Sequence, residues 1–224
     1  MDRTDITTTI TRTLMNTDIL TLMQWMSPGF PVGAFAYSHG LEEVIASGTL
    51  QTSADLRLWV SDILTDGSGR SDATLLARAW RDTETAGETD DIARALAAGS
   101  ERLTETCDQG AAFARTVDAI WETSVGGRTY PVAVGVAAAR QGLPLDLTTG
   151  AYLHAFAANL ISAAVRLVPL GQTEGQAVLA SLEPLIRTTA DEAAAEGAAL
   201  WSNCIAGDIA AMRHETLYSK VFRT

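Results

Sequence analysis

Lysine is almost missing from this chain: Lys220 is the only one, against fifteen arginines, and the 16 cations face 27 acidic residues for a net charge of -11. A phosphate-cradling loop of the Gly-Lys-Ser/Thr type cannot be built without a lysine in it. Phosphate contacts need clustered cations, so the charge balance also excludes nucleic acid and anionic membranes as partners and favours basic ones. Cysteine is scarce too. Cys107 and Cys204 are far apart and have no neighbours at metal-ligand spacing, which suits packing roles in a reducing compartment and gives a disulfide no support. Histidine occurs only at positions 39, 154 and 214, each on a different helix or turn. No Gly-x-Ser-x-Gly elbow, His-Glu-x-x-His pair or Cys-x-x-Cys pair occurs, and no active site can be assembled from spacing. Long apolar runs are lacking as well. The first thirty residues carry Asp2, Asp5 and Asp18, unlike a signal peptide, and Tyr152 to Leu170 is interrupted by His154, Asn159 and Arg166, too polar to span a bilayer. A cytoplasmic protein is expected.

What the chain does hold is alanine-rich helical sequence. An apolar fraction of 47% with 6% aromatics and 6 prolines over 224 residues suits one helical domain with an ample core. After a polar leader at 1–13, either disordered or ordered by a partner, apolar spacing predicts helices over Leu14 to Met26, Ser38 to Gly48 and Ala54 to Leu64 capped by Ser53. Further helices are expected over Ser71 to Trp80, Asp90 to Leu103 and Glu105 to Thr123. Another lies between Pro131 and Gly142, a Pro-start, Gly-stop pair, with Gly135 and Ala137 to Ala139 suited to close packing. The last third reads as Tyr152 to Leu167, Thr173 to Leu200 with a kink at Pro184, and Asp208 to Lys220. No run alternates with period two, so the expected fold is all-α, a single-domain bundle of about ten helices spanning 14–224.

Several segments stand out. In the helix ending at Leu167, Leu153, Phe156, Leu160, Ala164 and Leu167 form the buried face, while Ala155, Asn159, Ser162 and Arg166 form a polar stripe. Arg166 in the last turn reads as a cation favoured by the helix dipole, its stem buried. Thr173 and Gln176 have the spacing of a capping box. His154 shares a face with Ala158, Ile161 and Val165, which predicts a packed helix residue rather than a ligand. The carboxylates at Asp90-Asp91 and Asp191-Glu192 read as solvated partners of helix starts. Phe30, Val32, Phe35 and Tyr37 crowd a Pro/Gly-rich turn. They either project as a partner surface or fold back over the first helix. In the tail, His214 and Tyr218 are four residues apart, hence neighbours on a helix face, and Lys220 and Arg223 add positive charge.

Taken together, three motifs in order resemble the UreF family of urease accessory proteins: Ser27-Pro28-Gly29-Phe30-Pro31-Val32-Gly33-Ala34-Phe35-Ala36-Tyr37-Ser38-His39-Gly40-Leu41-Glu42, the stretch from Arg166 through Pro169 and Gly171 to Gln176, and the tail from His214 to Arg223. Asp108 to Phe113 and Tyr130 to Gly135 resemble the family as well, so the likeness runs from about Leu20 to the end. The resemblance implies an all-α homodimer that is not an enzyme. It would bridge the accessory protein UreD (UreH) and the nickel-carrying GTPase UreG, and help control GTP-dependent nickel delivery to apo-urease. No tightly bound cofactor is implied, since nickel is handled by the complex and GTP is bound by UreG. By motif match Phe35, Tyr37, Glu42, Arg166, Gln172, His214, Tyr218 and Lys220 are the candidates for partner binding or its support. The C-terminal segment is expected to order on a UreD-type partner, and the Glu42 and Arg166 regions to help form a UreG surface. Two departures are visible: Lys220-Val221 stands where relatives usually have Arg-Leu, losing a bidentate fork, and Cys107 stands where they often have a basic residue. Two other readings stay open beside the family one. The first is an all-α enzyme using carboxylates with His154 or His214, which a buried carboxylate beside His214 would favour; the second is an acidic helical adaptor for another GTPase or metalloenzyme.

Overall fold

The computed structural model describes residues 17–223 apart from the side chain of Phe35, and among them the only regular structure is helical. The leader 1–13 lies outside the described residues. Helix α1 is described over 17–25, and a 3₁₀ turn follows at Ala34–Ala36. Then come α2 (Leu41–Ala46), α3 (Ser53–Thr65), α4 (Ser68–Arg81), α5 (Ala86–Ala95), α6 (Ser100–Trp121), α7 (Tyr130–Arg140), α8 (Leu145–Leu167), α9 (Gln172–Ala193) and α10 (Ile205–His214). This is the expected all-α bundle. None of the described helices is long and apolar enough to cross a membrane.

The centre is α4 against α7, with α8, α9, α6 and α3 packed around them. Every residue of α7 from Pro131 to Ala138 is buried, as the near absence of polar side chains there requires. A methyl group at Gly135 would stand 2.3 Å from the Leu76 carbonyl, and at Gly110 1.9 Å from that of Arg128, so the missing side chains set both approaches. The turn after α1 folds back: Phe30 meets the Phe113 ring at 5.6 Å, which lies edge-on to Trp25 at 5.3 Å. Phe30 and Tyr37 are buried and Val32 is half-buried, so the described rings of this turn form a cap and not a projecting patch.

Several boundaries differ from the periodicity reading, each for a local or tertiary reason. Thr52, not Ser53, caps α3, because its hydroxyl accepts from the Asp55 amide while the Asp55 carboxylate accepts from the Thr52 amide. Helix α8 begins at Leu145, directly after Pro144 and with Asp146 in its first turn where the dipole favours a carboxylate, and the buried Thr148 and Thr149 hydroxyls are satisfied by the carbonyls of Pro144 and Leu145. No side-chain capping bond forms at α9, so Thr173 and Gln176 do not make the box, and the helix continues through Pro184 to Ala193. The break expected near Thr104 lies instead before Ser100, where a carboxylate distant in sequence caps α6. Asp90 is buried and accepts from the Thr129 amide at 2.6 Å and from Arg94 at 2.8 Å, so it ties α5 to the start of α7 rather than facing water. Asp191 and Glu192 lie near the C-terminal end of α9, where Glu192 pairs with Arg70.

Candidate functional site

Positive-φ backbone at Gly33, His39 and Gly40 turns the first motif sharply between α1 and α2. Gly40 is needed twice over, since its φ is 75° and a side chain would meet the Ala211 nitrogen of α10 at 2.7 Å. The turn therefore delivers Glu42 to the foot of α10. Although 7% exposed, this carboxylate is saturated with donors: the amides of Val221 at 2.7 Å and Phe222 at 2.8 Å, and Nε2 of His214 at 3.2 Å. Burial would raise its pKa, but the two tail amides and the histidine outweigh burial and hold it below the ordinary value of 4.5.

His214 closes the other half of the site. Its side chain has no exposure, and Nδ1 lies 2.7 Å from Oε2 of Glu101 in the first turn of α6. Lys220 Nζ donates to Glu101 Oε1 at 2.5 Å and to the Glu215 carbonyl at 3.1 Å. The Glu215 carboxylate then accepts from the amides of Ser100 and Glu101 and from the Ser100 hydroxyl, capping α6 from 115 residues away. Those amide contacts, the Glu101 amide first, hold the Glu215 carboxyl below its usual range.

The tail continues across α8. The Arg166 guanidinium lies 4.8 Å over the Phe222 ring, and the Arg223 amide donates to the Ala36 carbonyl at 2.7 Å. From the polar stripe, Asn159 donates to the carbonyls of Ala34 at 2.9 Å and Tyr37 at 3.4 Å, fixing the first motif to the same helix. Burial pushes the Tyr37 phenol up in pKa, opposed by a hydrogen bond from the Arg223 side chain.

Of the nominated residues, the structure thus brings together Tyr37, Glu42, Arg166, His214 and Lys220. Gln172 is exposed at the first position of α9 and takes no part in the contacts described above. Tyr218 is fully exposed, and because α10 ends at His214 the two do not share a helix face; capping of α6 by Glu215 turns the chain off the helix there. The Phe35 side chain lies outside the described residues. The C-terminal segment through Arg223 is docked on its own chain, on Glu42 and the Ala36 carbonyl. Glu101 and Glu215, both essential to the geometry, were not singled out from the sequence. A carboxylate in a first turn looks the same whether it meets water or a histidine.

A second polar group lies beneath a cleft of about 400 Å³ between the first motif, α6 and α8. Arg102 donates to Asp72 at 2.7 Å and lies 3.4 Å from Glu105, whose carboxylate meets Nε2 of His39 at 3.0 Å and accepts from Gln109 at 3.0 Å. Tyr152 donates to Asp72 at 3.0 Å. Burial raises the Asp72 pKa in spite of Arg102 and the tyrosine. His154 is exposed on the wall of this cleft, not packed as its helical face suggested, because α1 leaves that side of α8 open. Cys107 and Cys204 are both free thiols. Among the described residues no group of three or more His, Cys, Asp or Glu side chains could hold a metal ion.

Comparison with known proteins gives this geometry a context. The UreF family model matches residues 50–183. A protein of Roseobacter denitrificans called urease accessory protein UreF is 62% identical over 216 residues, covering 95% of this chain and 97% of its own. Proteins of the same name from Cereibacter sphaeroides (54% identical over 211 residues, 94% of this chain and 100% of the relative) and Ruegeria pomeroyi (48% over 209 residues, 92% and 96%) align over nearly the full length. The family model covers more than half the chain and the relatives nearly all of it: the chain belongs to the UreF family of urease accessory proteins.

Proposed function

We propose that this chain is a scaffold in nickel delivery that acts as a cytoplasmic homodimer. It bridges a UreD/UreH-type partner and the GTPase UreG and helps control GTP-dependent transfer of nickel to apo-urease. Nickel is cargo of the assembly rather than a tightly held ligand of this chain, and GTP sits on UreG. The observation that carries the reading is the near full-length identity to urease accessory proteins. The site geometry supports an interaction role: Glu42 and His214 are spent on internal contacts, so they shape a surface instead of presenting chemistry. Beside them the surface is apolar. Ile205, Ile209 and Met212 recur at helical spacing on α10 and are exposed, as are Tyr218 and Val221 of the tail. This patch suits the UreD/UreH-type partner, and Arg166 with the first motif suits UreG.

The carboxylates flanking His214 are the arrangement that would favour an all-α enzyme. The histidine side chain has no exposure, so the ring is not presented to a substrate. The accessory role named for the relatives likewise points to a non-catalytic chain.

The test is urease activity and nickel content in a native-host strain deleted for the gene, complemented with the full chain or with one ending before His214. Loss of both, restored only by the full chain, is expected. Full activity and normal nickel in the deletion strain, with no second gene copy, would overturn the reading.

A further inference from the structure

The two nitrogens of His214 both face carboxylates: Nε2 lies 3.2 Å from Glu42 and Nδ1 2.7 Å from Glu101. A neutral imidazole has one N–H, and a carboxylate only accepts, so neutral His214 would press a lone pair against one of those oxygens. Both separations are direct hydrogen-bond distances, so each nitrogen meets its carboxylate with no water between them. Only the imidazolium donates to both. We propose that a single proton on His214 locks the C-terminal segment onto the body of the protein, and that its loss releases the segment.

The surrounding charges fit one added proton. From α2 the charged group reaching the ring is Glu42, from α6 it is Glu101, and the segment itself contributes Lys220, bonded to Glu101. The neighbouring Glu215 carboxylate is turned away onto the α6 N-terminus, and Arg213 is exposed. Two carboxylates and one ammonium leave a single negative charge that the imidazolium neutralises. Glu42 holds the amides of Val221 and Phe222, and through them the Phe222 ring under Arg166. When the ring loses its proton, one carboxylate must turn away. If Glu42 turns, both amides lose their acceptor; if Glu101 turns, Lys220 loses its partner. Either way the segment is loosened.

The functional weight of this lock rests on reading the segment as part of a partner surface, whose apolar patch would be assembled or dispersed with pH. The chemistry does not rest on it, so the two can fail separately. Hydrogen exchange at Val221 and Phe222 in the full-length chain alone, corrected for intrinsic rates between roughly pH 5.5 and 8.5, tests the lock. Protection is expected to fall by up to about tenfold per pH unit above one midpoint, the limit for one linked proton, while α7 stays protected. His214→Gln should abolish that pH dependence. Glu101→Gln should keep the segment protected at the alkaline end, because its amide donates to the bare ring nitrogen while its carbonyl still accepts from Lys220. Protection in the wild type that does not change across the range would overturn the proposal. So would a Glu101→Gln chain, folded by circular dichroism, that loses protection at the wild-type midpoint.

Discussion

Replacing Glu42 with glutamine changes one oxygen into a donor and leaves the side-chain shape alone. The native carboxylate serves three donors, with Oε1 on the Val221 amide and Oε2 shared by the Phe222 amide and His214. A glutamine oriented to keep its oxygen at the shared position places NH₂ against the Val221 amide; flipped, it deprives the other two. Losing one charge-assisted hydrogen bond costs roughly 1.5–3 kcal/mol, with the orphaned donor in addition. The tail should therefore be destabilised by about 3 kcal/mol, roughly a 150-fold rise in its open population. Glu42→Ala, which leaves a buried histidine with a single partner, should approach the roughly 3–5 kcal/mol of a broken buried pair. Exchange at Val221 and Phe222 near neutral pH reads the effect directly, and exchange in α7 reports whether the core is intact. A Glu42→Gln chain whose tail protection stays within about threefold of wild type, with α7 unchanged, would show that the carboxylate does not hold the segment.

Acid should loosen the same contact. The folded-state pKa of Glu42 is depressed, so its stabilisation is full above the ordinary value of 4.5 and is lost as pH falls through the lower folded value; tail exchange should accelerate there, and not in Glu42→Gln. Arg102→Ala should destabilise the protein by roughly 3–5 kcal/mol in urea titrations, because Asp72 and Glu105 lose their cation in a buried setting. Asp72 has a raised folded pKa, so unfolding is favoured as pH rises from the ordinary 3.8 towards the folded value; Arg102→Ala widens that window and should be milder in acid than at neutral pH. Gly135→Ala places a carbon 2.3 Å from the Leu76 carbonyl and should cost on the order of 1–3 kcal/mol or more, whereas the open Gly142→Ala site has room but a positive φ of 67° and should cost less. Lys220→Arg should retain or strengthen the complex with a UreD/UreH-type partner in pull-downs, since the cation stays within reach of Glu101; a clear loss would show that the lysine itself is required.

Local rules determined a large part of this protein from the sequence. The 3.6-residue period and the lack of any alternating run settled the all-α class, and Pro131 with Gly142 marked α7 to within a residue, because those residues act on their own backbone. The stripe of Asn159 and Arg166 and the motifs around Glu42 and His214 were legible as segments. Their meeting was not. Glu42 and Phe222 are 180 residues apart, and Glu215 ends α10 while it starts α6 from 115 residues away. Periodicity continued the last helix to Lys220 and put the break before α6 near Thr104, since it weighs a carboxylate only against its own helix. The same blindness made Asp90 look solvated and His154 look packed. Whether a polar side chain faces water, a backbone amide or a second charge depends on which helix lies across from it, and only the tertiary structure decides that.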